Sequence, residues 1–153
     1  MIRYDHAGHD DIAAVRELFT EYGQSLGIDL SFQGFESELA SLPGAYAPPE
    51  GALIIARQEA GACGCIALRR IDQRTCEMKR LYVRPGSRGE GVGAELVKRI
   101  IETARGLGYA AMRLDTLPSM KSAVSLYRSF GFTEIPAYIY NPIPGALFME
   151  KML

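Results

Sequence analysis

Between an apolar, strand-like run that ends at Val83 and a helix-like run that follows lies RPGSRGEGVG, residues 84–93, with glycines at 86, 89, 91 and 93 and arginines at 84 and 88. Where a strand feeds a helix, the first helical N–H groups lack intrahelical acceptors and the helix dipole adds about half a positive charge. Glycine lets backbone approach a ligand with no Cβ in the way, and two guanidinium groups supply full charges nearby. A pyrophosphate is the group such a loop is suited to hold.

Three phosphate-binding patterns can be laid on this stretch. G-x-x-x-x-G-K-[ST] fails, because Gly86 and Gly91 are followed by Val92 and Gly93 instead of lysine and a hydroxyl residue. G-x-G-x-x-G/A matches in form as Gly89, Gly91 and Ala94, and Asp115 ends the next strand about where a ribose-binding acid would sit. Against it, the glycines begin well after Val83, where a tight turn is required, and the chain offers a single strand, helix, strand unit. R/Q-x-x-G-x-G/A fits throughout, with Arg88, Gly91 and Gly93 at its fixed positions.

The elements that must position this loop are legible from periodicity. IRYDH reads as a first strand, and a helix capped by Asp10 or Asp11 carries Ile12, Val15, Leu18, Phe19, Tyr22 and Leu26 at three-four spacing. FESELASL reads as a shorter helix ending before Pro43. ALIIAR, ACGCIALRRI and TCEMKRLYV are strand candidates separated by hairpin-length connections, so antiparallel pairing is expected. From Gly91 to Leu107 the residues Leu96, Val97, Ile100, Ile101, Ala104 and Leu107 form one helical stripe, with Gly108 as its C-terminal cap. AAMRLDT is a strand and MKSAVSLYRSFGF a helix stopping at Gly131, while TEIPAYIY and ALFMEKM read as the last strands. The expectation is an α/β fold: a mixed, mostly antiparallel sheet of about seven strands flanked by about four helices, with one parallel pair joined by a right-handed crossover from Thr75 to Thr116.

Bulk composition narrows the partners. At 153 residues, residues 1–153 are read as one domain, large enough to bury a sizeable core. A net charge of -1, with 48% hydrophobic and 23% charged residues, provides no broad field for nucleic acid or an anionic membrane. No run reaches the roughly 20 apolar residues of a membrane span and the first residues lack the apolar core of a signal peptide, so a cytoplasmic location is expected. Cys63, Cys65 and Cys76 have neither C-x-x-C spacing nor a nearby histidine, so no metal site is expected.

RGEGVG at 88–93, in the context EMKRLYVRPGSRGEGVGAELV and followed by SAVSLYRSFGF, resembles the GNAT family of N-acetyltransferases. The resemblance is strong over residues 75–132 and elsewhere rests on the order of elements. It implies the acetyl-CoA N-acyltransferase fold and acetyl-CoA as cosubstrate, its pyrophosphate held by Arg88, Gly89, Glu90, Gly91, Val92 and Gly93. The main chain of Leu81, Tyr82 and Val83 is implied to bond the acetyl carbonyl and the pantetheine arm. Tyr127 stands where the family often has a tyrosine that protonates the departing thiolate. Met120, seven residues earlier, stands where many members have an asparagine.

Acetyl transfer to an amine needs a neutral nucleophile, and an alkylammonium with a pKa of about 10.4 must first lose a proton. Glu77, at the start of the central strand, is the candidate base. Strict alternation puts it on one face with Lys79, Leu81 and Val83, unless a bulge intervenes. Cys76 beside it suggests a covalent route, but no histidine is at hand to activate the thiol. The expected reaction is therefore acetyl transfer to a primary amine of a small molecule or amino acid by direct attack in a ternary complex. A catalytically weak acyl-CoA sensor or partner module is the alternative. Asp29, Glu36, Tyr138, Tyr140 and Asn141 are the residues available to hold a cationic acceptor, and a homodimer is compatible with all of this.

Overall fold

The computed structural model describes residues 1–153. Seven strands, β1 (Arg3–His6), β2 (Ala52–Gln58), β3 (Gly61–Arg70), β4 (Thr75–Val83), β5 (Ala111–Thr116), β6 (Thr133–Ile135) and β7 (Leu147–Met152), form one sheet in the order β1-β2-β3-β4-β5-β7-β6. All neighbours are antiparallel except β4 and β5. Four α-helices, α1 (Ile12–Leu26), α2 (Phe35–Ala40), α3 (Val92–Gly106) and α4 (Lys121–Ser129), cover its faces.

Each face has its own core. On one, α3 buries Leu96, Val97, Ile100 and Ile101 against Ile54, Ile66, Leu68 and Met78, and α4 adds Tyr127. Full burial of each such aliphatic side chain contributes about 1.5–3 kcal/mol, so α3 is held chiefly by its apolar stripe. On the other face, Val15, Leu18 and Phe19 of α1 pack on Leu53, Ile55, Cys65, Ala67 and Tyr82.

Two expectations are corrected. TEIPAYIY is a strand only over Thr133–Ile135, because Pro136 has no N–H to continue a ladder. Strict alternation along β4 also fails. Cys65 pairs with Tyr82 and Ala67 with Lys79, so Arg80 and Leu81 together oppose Ile66. Arg80 has φ 61, in the left-handed region that a residue with a Cβ seldom adopts. This β-bulge turns Leu81 and Val83 to the α3 face, and Arg80 and Tyr82 join Glu77 and Lys79 on the α1 face.

Candidate active site

Parallel pairing of β4 with β5 runs only through Thr75, Cys76 and Glu77, opposite Ala111, Met112 and Arg113. Beyond that point the strands splay. The Arg84 N–H donates to the Cys63 carbonyl at 2.8 Å, which places the main-chain groups of Tyr82 and Arg84 toward β3 and, by alternation, those of Leu81 and Val83 toward the gap that β5 has left.

A groove of about 510 Å³ runs along this edge, lined by Leu81, Tyr82, Val83, Ser87, Arg88, Gly89, Gly91, Val92 and Gly93 and walled by Met120, Ala123 and Leu126. The first α3 hydrogen bond is from the Glu95 N–H to the Gly91 carbonyl, 3.0 Å, so the N–H groups of Val92, Gly93 and Ala94 precede any intrahelical acceptor. Gly89 (φ 85) and Gly91 (φ 77) turn the chain through left-handed conformations that bring these donors to the groove. Arg88 lies beside them, its Nε donating to the Val83 carbonyl at 2.9 Å. Glu90 is exposed and outside the groove lining. Arg84 is turned away from the loop, with its guanidinium bonded to Glu17 (2.8 Å) and Glu21 (2.7 Å) of α1. The guanidinium that remains at the loop is therefore that of Arg88, held by its Nε with no carboxylate partner.

A narrow cavity of about 40 Å³ shares Tyr22, Leu81 and Met120 with this groove. Its lining includes Met78, Lys79, Leu114, Asp115, Tyr127 and Asn141. It also shares Phe32, Gln33 and Lys79 with a wider cavity of about 390 Å³ on the α2 side, which Glu38, Tyr46, Arg69 and Tyr140 help to enclose. Groove, neck and outer cavity thus follow one another through the splay.

Tyr127 stands in the neck wall, its ring 6.0 Å from that of Phe132. Burial raises its hydroxyl pKa above the usual phenol value, so the proton stays on oxygen. Asp115 is the one carboxylate in the neck lining. The Asn141 side-chain amide donates to its Oδ2 at 3.0 Å. Glu77 lies deeper, with no exposure to solvent. Both of its oxygens are engaged, Oε1 by the Arg69 Nε at 2.7 Å and Oε2 by the Tyr138 hydroxyl at 2.6 Å. It lines neither the groove, the neck nor the outer cavity. Cys76 is fully buried and its thiol is pushed up to about 12 by desolvation, which leaves it no thiolate for a covalent route.

The sequence pattern of the Acetyltransferase (GNAT) family matches residues 12–132. The chain belongs to the GNAT family. An uncharacterized N-acetyltransferase of Schizosaccharomyces pombe is 47% identical over 142 residues, 92% of this chain and 87% of that protein. An IAA acetyltransferase of Azospirillum brasilense is 36% identical over 143 residues, 92% of this chain and 91% of that one. Among solved structures, a GNAT acetyltransferase from Staphylococcus aureus has a TM-score of 0.82 and 21% identity over 99% of both chains, a likeness of fold. This GNAT protein is accordingly an acetyltransferase, and the family uses acetyl-CoA.

Of the residues expected at the acceptor side of this GNAT domain, Tyr140 lines the outer cavity, Asn141 the neck, and Tyr138 braces Glu77. Asp29 instead accepts from the Ser31 N–H, 2.8 Å, as a turn cap, and Glu36 is exposed. Arg69, Gln33 and Glu38 belong to no sequence motif, Lys79 is marked there only as a neighbour of Glu77 on its strand face, and Asp115 only as a ribose ligand. The short hairpin between β3 and β4 does place Arg69 opposite Glu77 by counting. No helix is long and apolar enough to cross a membrane, and no three His, Cys, Asp or Glu side chains gather as a metal set.

Proposed function

We propose that residues 1–153 act as one N-acetyltransferase domain that moves an acetyl group from acetyl-CoA to a primary amine, borne by a small molecule or amino acid, by direct attack in a ternary complex. The observation that carries this reading is the neck, which shares lining residues with the coenzyme groove on one side and the outer cavity on the other. Two substrates held in those two spaces meet only there, which favours direct transfer over a covalent relay.

The groove fits the coenzyme. Three N–H groups at the α3 start, two left-handed glycines and Arg88 converge where a pyrophosphate would lie. Leu81 and Val83 offer main-chain groups along the splayed edge for the pantetheine arm and acetyl carbonyl, and Tyr82 contributes its ring, 5.9 Å from the Arg88 guanidinium. Acetyl-CoA, when bound, supplies a thioester whose C–S bond breaks as a C–N bond forms to the acceptor.

The acceptor ammonium loses one proton before attack and a second as the C–N bond forms, and the departing sulfur gains one. Asp115, the carboxylate in the neck, receives at its Oδ1 the proton whose loss makes the nitrogen a nucleophile, while Asn141 holds Oδ2. Tyr127 delivers a proton to the departing sulfur from its hydroxyl, and the second nitrogen proton replaces it. Burial keeps the Tyr127 phenol protonated until a thiolate develops beside it. Glu77, expected as the base, is assigned here to positioning: it fixes Arg69 and Tyr138 behind the neck.

Thermal unfolding with acetyl-CoA, run beside NAD, tests the donor half: a rise with acetyl-CoA alone is expected, since a ligand of the folded state adds RT ln(1 + [L]/Kd). Thiol release on a panel of primary amines tests the rest. Intersecting initial-rate lines are expected, and parallel lines would overturn direct attack.

A further inference from the structure

The boundary between the neck and the outer cavity is rich in positive charge. Arg69, Lys79 and Arg80 line it with one carboxylate, Glu38, and Glu77 lies behind them. Glu38 is consumed by Arg80, whose Nε and Nη2 donate to its two oxygens at 2.8 and 2.9 Å. Glu77 is consumed by Arg69 and Tyr138. Lys79 has what remains: Gln33 Oε1 at 3.4 Å, which already accepts from Arg80 Nη1 at 2.8 Å, and Glu77 Oε1 at 3.9 Å. Its side chain is only 7% exposed, so an ammonium with three donors is shielded from bulk solvent and has one long hydrogen bond within the protein.

Such a cation is stabilised by an anion brought to it. Lys79 lines both the neck and the outer cavity, and Arg69, bonded through Nε alone, also reaches the outer cavity. Asp115, facing the neck, is the one carboxylate there and suits an ammonium. Building on the amine-acceptor reading above, we infer that the acceptor is a free amino acid whose carboxylate is bound by Lys79 and Arg69 while its amino group projects past Asp115 into the neck. Opposite charges at the two ends of the site admit the acceptor in one orientation. A peptide, which has an amide where the amino acid has its carboxylate, leaves Lys79 without its anion, and a polyamine places a second cation against it. The same partial isolation of Lys79, by burial and by Arg80 beside it, lowers its pKa, and a bound carboxylate would restore it.

The test pairs each of several L-amino acids with its own carboxamide as acceptor, at fixed acetyl-CoA. For the wild-type chain kcat/KM is expected to favour the acid by about 10- to 100-fold, the worth of a charge-assisted hydrogen bond in a dry site, and chiefly through KM. Lys79→Met, which keeps the length and apolar stem, is expected to erase this preference by weakening the acid and sparing the amide, a pattern that misfolding cannot produce. Titration calorimetry of N-acetylalanine against N-acetylalanine amide gives a readout independent of turnover, with only the acid expected to bind and only to the wild type. Equal use of acid and amide, with acetylation intact, would overturn the carboxylate site and leave the N-acetyltransferase reading standing. Absence of acetylation for every pair, with turnover on other primary amines, would overturn the amino-acid acceptor; absence on every amine would overturn the N-acetyltransferase reading instead, and equal binding of the two acetylated compounds would then overturn the carboxylate site as well.

Discussion

Glu77 and Arg113 are opposite-charge register partners, the last that β4 and β5 share, and Tyr138 spans them: its hydroxyl donates to Glu77 at 2.6 Å and its ring lies 5.3 Å from the Arg113 guanidinium. Arg113 finds its carboxylate on the other side, in Glu150 at 2.8 Å, as Glu77 finds Arg69. A row of alternating charge thus crosses β3, β4, β5 and β7 just before the splay. Closed on itself, this row sets the floor of the site, and the unpaired chemistry begins two residues further on, at Lys79 and Asp115.

That division separates the two carboxylates in experiment. Asp115→Asn is expected to leave the unfolding temperature nearly unchanged and to lower kcat about 100-fold or more, the usual worth of a positioned base. Glu77→Gln is expected to cost about 3 kcal/mol of stability, because it removes the buried anion that Arg69 and Lys79 share. Denaturant unfolding and steady-state kinetics on both variants check this, and a Glu77→Gln protein as stable as wild type but inactive would return the base to Glu77.

Tyr127→Phe keeps the ring and its packing on Phe132 and removes only the hydroxyl. Its expected signature is a fall in kcat of about 100-fold with an unchanged KM for acetyl-CoA. An unaltered kcat would make Tyr127 a core residue and nothing more.

At Gly91 the left-handed φ of 77 is the constraint, since a Cβ there would meet no atom within 4 Å. Gly91→Ala therefore costs about 1–2 kcal/mol in backbone strain, and Gly91→Asp adds negative charge beside the α3 N-terminus. Coenzyme A affinity by calorimetry is expected to fall about 10-fold for the first and further for the second. Gly86→Ala, in open space with no left-handed φ, should bind as wild type does.

Arg80 holds the bulge that re-aims β4. Besides Glu38 and Gln33, it meets the rings of Tyr22 at 5.6 Å and Phe35 at 5.0 Å. Arg80→Ala is expected to destabilise the fold by about 3–5 kcal/mol, the cost of leaving a largely buried carboxylate alone. Glu38→Gln should lose less, since it keeps one accepting oxygen and the guanidinium retains Gln33 and the rings of Tyr22 and Phe35. Chemical denaturation of both ranks them, and the reverse order would mean that the bulge stands without its arginine.

Alkaline stability follows from the tyrosines. Of eight, Tyr4, Tyr22, Tyr46, Tyr82, Tyr109, Tyr127 and Tyr138 have hydroxyls raised above their ordinary value, in each case first by burial. The folded chain therefore holds protons that the unfolded chain releases above pH of about 10. Their contribution is complete below that pH and is lost as pH climbs toward the folded values. Phenolate absorbance should appear together with loss of helical circular dichroism, and gradual titration of most tyrosines in an intact fold would contradict this.

Local pattern carried much of the molecule. The stripe from Leu96 to Ala104 and the left-handed caps at Gly108 and Gly131 follow from spacing and residue type, because a helix must bury one face and must end where the chain can reverse. The Arg88 to Gly93 motif was legible for the same reason, since its donors are consecutive backbone groups at one helix start. What only the tertiary structure decided are relations between distant residues. The bulge at Arg80 depends on Glu38 and Gln33, some 42 and 47 residues away, and it inverts the facing of Leu81 and Val83. Asp115 and Lys79 come to one neck because β4 and β5 part after Glu77, which no periodicity records. Helices and phosphate loops are written in near neighbours, whereas the charge balance of an acceptor site is set by which strands happen to lie side by side.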